Sequence, residues 1–87
     1  MYMNVRIEKF CDLQEKDNFN RQDVEAVILS EKPSPIRFEC YNDMIKKANK
    51  FSVGSEVEVH FYIKGNRSKE GKVFNNLVIT DIKELSN

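Results

Sequence analysis

Hydrophobic and polar residues alternate along most of the 87-residue chain, as they do in strands with one buried face. The alternation predicts five strands separated by polar or proline-containing segments. In chain order they begin near Met3, Phe19, Ile36, Ser55 and Val73, and end near Cys11, Ser30, Tyr41, Lys64 and Ile82. The polar segment 12–18 is predicted to be a loop, and segment 31–35, with two prolines, a turn.

Between the third and fourth strands the period changes to that of a helix. Within segment 42–50, Met44, Ile45 and Ala48 fall close together at helical spacing, and the lysines lie on the other side. Asn42 or Asp43 can cap the N-terminus of this helix with its side chain. The sequence therefore predicts one short helix with a basic face.

Five strands with one short helix between strands 3 and 4 predict an all-β fold, an OB-fold Greek-key barrel, as a single domain over residues 1–87. Closing the sheet into a barrel removes the exposed edges of an open sheet. An SH3-like barrel is the competing five-stranded fold, but it normally lacks a helix at this place. In the fifth strand, the consecutive apolar residues 77–79 predict burial on both faces or a β-bulge.

The formal charge is zero, with fourteen basic and fourteen acidic residues, so the chain is not a bulk polycation. Its halves differ: residues 1–31 hold four basic and seven acidic residues, and residues 32–87 hold ten and seven. A basic group surrounds the predicted turn 65–71 and consists of Lys64, Arg67, Lys69 and Lys72, opposed by Glu70. This pattern indicates a local positive patch.

No enzyme is indicated. His60 is the one histidine, and no serine or cysteine nucleophile is placed to use it. Cys11 and Cys40 fit no metal pattern and are expected to be buried, reduced thiols. We therefore expect no cofactor and no metal. The N-terminus lacks an apolar signal region and no run is long enough to span a membrane, so we expect a cytoplasmic protein without a membrane partner.

Aromatic residues lie where an OB fold binds its ligands, on the face of strands two and three and beside the loops that flank it. Phe19, Tyr41 and Phe74 are the candidates for stacking on nucleobases, with Tyr62 weaker. The alternative is that they close the ends of the barrel. Phe38 and Phe61 alternate with the core residues and are expected inside.

Basic residues accompany these aromatics and would contact phosphates. The candidates are Arg21, Arg37, Lys64, Arg67, Lys69 and Lys72. Asp23, Glu25 and Glu39 lie on the same face and would repel a phosphate backbone, which predicts modest, salt-sensitive binding. The pairs Asp23/Glu25 and Glu56/Glu58 are expected to be solvated.

Four stretches carry a resemblance to a known family: residues 19–24 (FNRQDV), 36–43 (IRFECYND), 53–59 (VGSEVEV) and 70–77 (EGKVFNNL). In this order they resemble a family of short, single-domain bacterial OB-fold proteins of unknown function. That family is similar to bacterial single-stranded DNA-binding proteins and to the primosomal replication protein. The resemblance spans about residues 3–84 and implies a role in DNA replication or repair. This chain has fewer aromatics than the family at Tyr41 and Val73-Phe74, and we expect no acidic recruiting tail.

The leading hypothesis is therefore a non-enzymatic protein that binds single-stranded nucleic acid, DNA more than RNA. The alternative is a protein-interaction module, a homodimer or higher homo-oligomer in which strands one and five pair edge to edge, with residues 77–79 contributing. A carbohydrate or small-molecule ligand also stays open, because OB barrels bind those too.

Overall fold

Six strands and one helix make up the computed structural model, which describes residues 1–85. The elements are β1 (Tyr2–Phe10), β2 (Gln14–Glu15), β3 (Asn20–Ile28), β4 (Ser34–Tyr41), α1 (Asp43–Ala48), β5 (Glu56–Arg67) and β6 (Val73–Glu84). The five long strands and the position of the helix confirm the sequence prediction. The segment predicted to be a loop is not wholly irregular, because β2 forms within it and pairs with the start of β3.

Strand β1 closes the sheet into a barrel. The strands follow the order β1-β5-β6-β4-β3-β2, and β1 also pairs with β3. Residues Tyr2–Arg6 of β1 pair with β5, and Val5–Phe10 pair with β3. A register shift between Ile7 and Lys9 bends the strand, and such a bulge increases twist and allows one strand to serve two partners.

The barrel interior holds the residues that alternation assigned to it. Phe38 and Phe61 are buried, as predicted, with ring centroids 5.5 Å apart. Around them lie aliphatic residues from β1, β3, β5 and β6, among them Val5, Ile7, Val24, Val57, Val59 and Ile82. Burying each such side chain contributes about 1.5–3 kcal/mol. The core therefore runs through every long strand.

Helix α1 is shorter than the segment predicted for it. It buries Ala48 in the core, and Met44 and Ile45 pack against the core. Asn42 occupies the N-cap position, but its side chain makes no capping hydrogen bond, contrary to expectation. Its Oδ1 instead accepts a hydrogen bond from the Asn20 backbone N–H at 3.0 Å. Asn42 thereby ties the start of α1 to the start of β3.

The two cysteines differ in burial. Cys40 is fully buried in the core, and burial raises the pKa of its thiol to about 12. Cys11 is only half-buried just after β1, so the expectation of a buried thiol was wrong for it. Its Sγ lies 3.7 Å from Glu25 Oε2. Within residues 1–85 both cysteines are free thiols.

Strands β5 and β6 extend beyond the barrel as a two-stranded arm. Strand β1 pairs with β5 only as far as His60, and β4 pairs with β6 only at Leu77 and Val78. Residues 62–76, here called the β5–β6 arm, therefore protrude. The predicted turn 65–71 was too long, because β5 continues to Arg67 and the turn comprises residues 68–72. Gly71 adopts a φ of +87°, which favours glycine.

The apolar run at residues 77–79 lies inside the sheet. Val78 and Ile79 are buried, Leu77 is half-buried, and β4 and β5 pair with this part of β6 on its two sides. A register shift beside His60 and Phe61 leaves Thr80 as the extra residue of β6, which is the predicted bulge. The run is therefore not available to contribute to edge pairing between copies, as the alternative hypothesis suggested. Among residues 1–85, no helix has the length and apolar character needed to cross a membrane.

Candidate nucleic-acid interface

Charged side chains cross the outer face of β3 and β4 in direct contact. Arg21 lies opposite Tyr41, Asp23 opposite Glu39, and Glu25 opposite Arg37. We call the set of interacting charges the ion-pair network; it comprises Arg21, Asp23, Glu25, Arg37, Glu39 and Lys64. The antiparallel register creates it, because residues opposite one another share a face of the sheet.

Asp23 is the centre of the ion-pair network. Arg21 contacts it through Nε at 2.9 Å and Nη2 at 3.1 Å. Arg37 contacts the same carboxylate through Nε at 3.0 Å and Nη2 at 2.9 Å, and its Nη1 lies 2.7 Å from Glu25 Oε2. Two guanidinium groups thus share one carboxylate.

These contacts explain why Asp23 is only 3% exposed although it points away from the barrel core. The expectation of a solvated carboxylate was wrong for this residue, because the two arginines cover it. Burial by itself would raise the pKa of Asp23, but hydrogen bonds from Arg21 and Arg37 outweigh that effect and hold the pKa below its usual value. Asp23 is therefore an anion that holds the face together.

Glu39 forms the second centre and is 5% exposed. Its Oε1 accepts a hydrogen bond from the Tyr41 hydroxyl at 2.5 Å and another from Lys64 Nζ at 3.5 Å. Arg21 Nη2 lies 3.7 Å from the other oxygen, Oε2. Burial and the hydrogen bond to Glu39 raise the pKa of Tyr41. Tyr41 is thus fixed in place through its hydroxyl.

The outer face of β3 and β4 is consequently close to neutral. Arg21, Arg37 and Lys64 were predicted to follow phosphates, and the structure brings them together. Each of them, however, pairs with a carboxylate of the same network. Three cations and three carboxylates compensate one another, so the acidic residues neutralise this surface instead of standing as isolated repulsive charges.

A groove of 270 Å³ opens beside the ion-pair network, between β3, β4 and the start of β6. Its lining residues are Arg21, Asp23, Arg37, Glu39, Asn75, Asn76 and Leu77. The sequence prediction missed the two asparagines. Their proximity to β4 depends on the parallel pairing of β4 with β6, and alternation within one strand carries no information about which strands are neighbours.

The candidate aromatic residues divide into supporting and exposed rings. Phe19 is 40% exposed, and its ring centroid lies 5.8 Å from that of Tyr41. Tyr41 is half-buried, and Lys64 Nζ lies 5.6 Å from its ring centroid. Phe74 is 52% exposed on the β5–β6 arm. Phe19 and Phe74 therefore present the open ring surfaces, whereas Tyr41 contacts both Phe19 and Lys64.

The register of the β5–β6 arm decides which of its residues share the face of the groove. Lys64 pairs with Asn76, and Asn66 pairs with Phe74. Cross-strand partners and alternate residues share a face, so Phe74 lies on the side that carries Lys64 and the groove. Tyr62, 48% exposed, also shares this side.

Arg67 lies on the opposite side of the arm, paired with Val73. Its Nη1 donates a hydrogen bond to the Gly71 carbonyl at 3.0 Å, so it stabilises the turn. Lys69 and Lys72 are exposed in the turn. Within residues 1–85, none of these three cations has a carboxylate within ion-pair distance. Of the six cations predicted to contact phosphates, the three without an ion pair within residues 1–85 therefore lie at the end of the arm.

His60 forms a separate contact in the part of β5 that pairs with β1. Its Nε2 lies 2.6 Å from Glu58 Oε2, and its ring stacks on Tyr2 with centroids 5.4 Å apart. Among residues 1–85, no group of three His, Cys, Asp or Glu side chains is placed to hold a metal ion. The side chains described at this site offer aromatic stacking, hydrogen bonding and ion pairing.

Comparison with known proteins establishes the fold. No protein-family model matches the chain, and no curated protein sequence matches it. Among solved structures, the chain is similar to the second OB-fold domain of replication protein A from Methanococcus maripaludis, determined by NMR in solution. The TM-score is 0.60 at 13% identity, and the alignment covers 99% of this chain and 83% of that one. The predicted OB fold is confirmed.

Proposed function

We propose that this protein binds single-stranded nucleic acid without catalysing a reaction, and that its ligand is DNA rather than RNA. The observation that carries the proposal is the exposed ring of Phe74, placed next to a turn whose Lys69 and Lys72 have no carboxylate partner within residues 1–85. In an OB fold this turn is one of the two loops that flank the ligand face. The preference for DNA follows the resemblance to bacterial single-stranded DNA-binding proteins.

The mechanism combines stacking with a small electrostatic contribution. Bases stack on Phe74 and Phe19, which contributes about 1–3 kcal/mol per base. Phosphates approach Lys69 and Lys72 and release condensed counterions. Arg21, Arg37 and Lys64 retain their carboxylate partners and shape the groove, which is a different role from the phosphate contacts that the sequence suggested.

Fluorescence anisotropy with a labelled oligo-dT of about twenty nucleotides tests this proposal. At about 20 mM salt we expect a micromolar or tighter dissociation constant that weakens as salt is added. A ribose oligonucleotide of the same length serves as the comparison for DNA against RNA. Absence of binding to both at low salt contradicts the proposed function.

A second candidate function is self-association through the β5–β6 arm. On the side away from the groove, Ile63 is 49% exposed and Val73 is 58% exposed. Beyond His60, the outer edge of β5 has two backbone hydrogen bonds within residues 1–85, both between Phe61 and Met1. The Phe61 N–H donates to the Met1 carbonyl at 2.9 Å, and the Met1 ammonium donates to the Phe61 carbonyl at 3.3 Å. Light scattering at several concentrations tests it: a constant monomer mass excludes this function.

A further inference from the structure

We infer that the groove beside the ion-pair network receives the edge of a nucleobase that carries an exocyclic amino group, and that the protein therefore prefers cytosine to uracil. The inference rests on the proposed binding of single-stranded nucleic acid. It adds a base preference to a fold whose stacking contacts alone tolerate every base.

The first argument is an unused hydrogen-bond acceptor. Glu39 is 5% exposed and lines the groove. Its Oε1 accepts hydrogen bonds from Tyr41 and Lys64. Its Oε2 accepts none within residues 1–85, since Arg21 Nη2 lies 3.7 Å away. This oxygen is not sealed inside the protein, because no side-chain oxygen of residues 1–85 is fully buried without a hydrogen-bond partner. It is therefore an accessible, charged acceptor, and an N–H group that enters the groove can donate a charge-assisted hydrogen bond to it.

The second argument excludes a phosphate. Asp23 and Glu39 both line the groove and are almost completely buried. The cations beside them, Arg21 and Arg37, are already hydrogen-bonded to Asp23. An anion in the groove would face carboxylates without a free cation to offset them. A neutral group with hydrogen-bond donors is the ligand that this charge arrangement favours.

The third argument is the match to one base edge. Asn76 is half-buried in the groove wall, and its side-chain amide makes no hydrogen bond within residues 1–85. The Glu39 carboxylate offers a hydrogen-bond acceptor, and the side-chain amide of Asn76 in the same groove can both donate and accept. Cytosine presents its N4 amino donor next to the N3 acceptor, and glutamate is a suitable acceptor for N4. Uracil presents O4 at the same position, where it would meet the Glu39 oxygen as a second acceptor.

Stacking would hold the base at the correct place. The Tyr41 hydroxyl contacts Glu39 at 2.5 Å, and the Phe19 ring lies 5.8 Å from the Tyr41 ring. Glu39 is thus adjacent to the pair of aromatic rings. A base that stacks on the exposed surface of Phe19 or on the edge of Tyr41 has the groove within reach of its polar edge.

The test compares oligo-dC and oligo-dU of equal length, whose bases differ only at the N3–C4 edge, near neutral pH and at low salt. We expect the protein to bind oligo-dC at least about fivefold more tightly. In Glu39→Gln, the oxygen is held by the donors Tyr41 and Lys64, so the new amide nitrogen faces the groove. We expect the preference to disappear or to reverse in favour of oligo-dU.

Glu56→Gln is the matched control, because it removes the same charge from an exposed carboxylate that lies outside the groove lining and outside the ion-pair network. It should keep the cytosine preference. If Glu39→Gln does not fold, an oligonucleotide with 2-pyrimidinone in place of cytosine removes the amino group from the ligand and should bind as weakly as oligo-dU. Equal binding of oligo-dC and oligo-dU by the wild type overturns this inference alone, whereas binding of neither overturns the proposed function.

Discussion

Two nitrogens of Arg21 contact both carboxylate oxygens of Asp23, two residues further along the same strand, at 2.9 and 3.1 Å. A bidentate pair of this kind is directional and strong for its size. Arg21 is therefore committed to a contact within the protein, on a surface where a cation would otherwise be assigned to a ligand. The same holds for Arg37, which reaches Asp23 from the neighbouring strand.

Asp23→Asn is expected to lower the free energy of unfolding by about 1–3 kcal/mol, because two guanidinium groups lose their charged acceptor. Urea denaturation followed by circular dichroism measures the change. Glu56→Gln is the control: this residue is exposed, pairs with no cation within residues 1–85, and should change stability by less than about 0.5 kcal/mol. An Asp23→Asn variant as stable as the wild type would show that the ion-pair network is not stabilising.

The lowered pKa of Asp23 predicts acid sensitivity. Its ionised form is favoured in the folded state, so its stabilising contribution is present above the unfolded pKa of about 3.9 and is lost as the pH falls through the lower folded value. We expect the thermal midpoint of the wild type to fall steeply below about pH 4. The Asp23→Asn variant should show a shallower decline, and parallel curves for the two proteins would contradict the assignment.

Reversal of the two turn charges, by Lys69→Glu with Lys72→Glu, should weaken oligo-dT binding strongly at low salt. Binding measured over a range of salt concentrations adds a second readout. At most three cations of the arm lack a carboxylate partner within residues 1–85, so the wild-type slope of log K against log salt should be no steeper than about −2.

Lys46→Glu with Lys50→Glu is the matched control for this charge reversal. Both lysines are exposed, on α1 and just after it, and the net charge changes by the same amount. Equal loss of affinity in the two double variants would indicate a general effect of net charge, without a contact at the arm. A wild-type slope of about −4 would instead mean that the three cations of the ion-pair network also release counterions.

Phe74→Ala should weaken oligo-dT binding by about 1–3 kcal/mol, the usual contribution of one stacked base. The folded state should be unaffected, since Phe74 is half exposed on the arm and lies outside the core. Tyr2→Ala provides the control, because Tyr2 is 66% exposed but stacks on His60, away from the groove. Anisotropy titrations of both variants measure the difference, and an unchanged affinity for Phe74→Ala rules out stacking at this ring.

The strand pattern was predictable from sequence because it depends on neighbours along the chain. Alternation placed Phe38 and Phe61 inside, and the change of period located α1. It did not reveal the ion-pair network. The register between β3 and β4 decides which carboxylate contacts which guanidinium group. The sequence pattern shows only that the charges share a face, and it does not show whether a carboxylate there repels a ligand or pairs with an arginine. Asp23 was therefore interpreted as an obstacle to binding, whereas it compensates two arginines.

In the β5–β6 arm, the sequence pattern placed the end of a strand too early. Glycine at position 65 indicated a turn, but Gly65 pairs with Asn75 and continues the strand. Once the strand extends to Arg67, alternation alone assigns that residue to the side away from Lys64. The position of the strand end therefore decides which side of the arm Arg67 occupies, and the sequence pattern placed that end too early.

The dual pairing of β1 has a consequence for the order in which the chain folds. Tyr2 pairs with His60, so the barrel closes only when the first residues of the chain pair with β5, which is synthesised much later. Contacts of such long sequence separation slow folding, and barrels of this kind typically need milliseconds to seconds. On the ribosome, β3 and β4 can pair as soon as they emerge, while β1 keeps one edge open until β5 is released. During synthesis, the edge of β1 that later pairs with β5 is therefore exposed to pairing with a foreign strand.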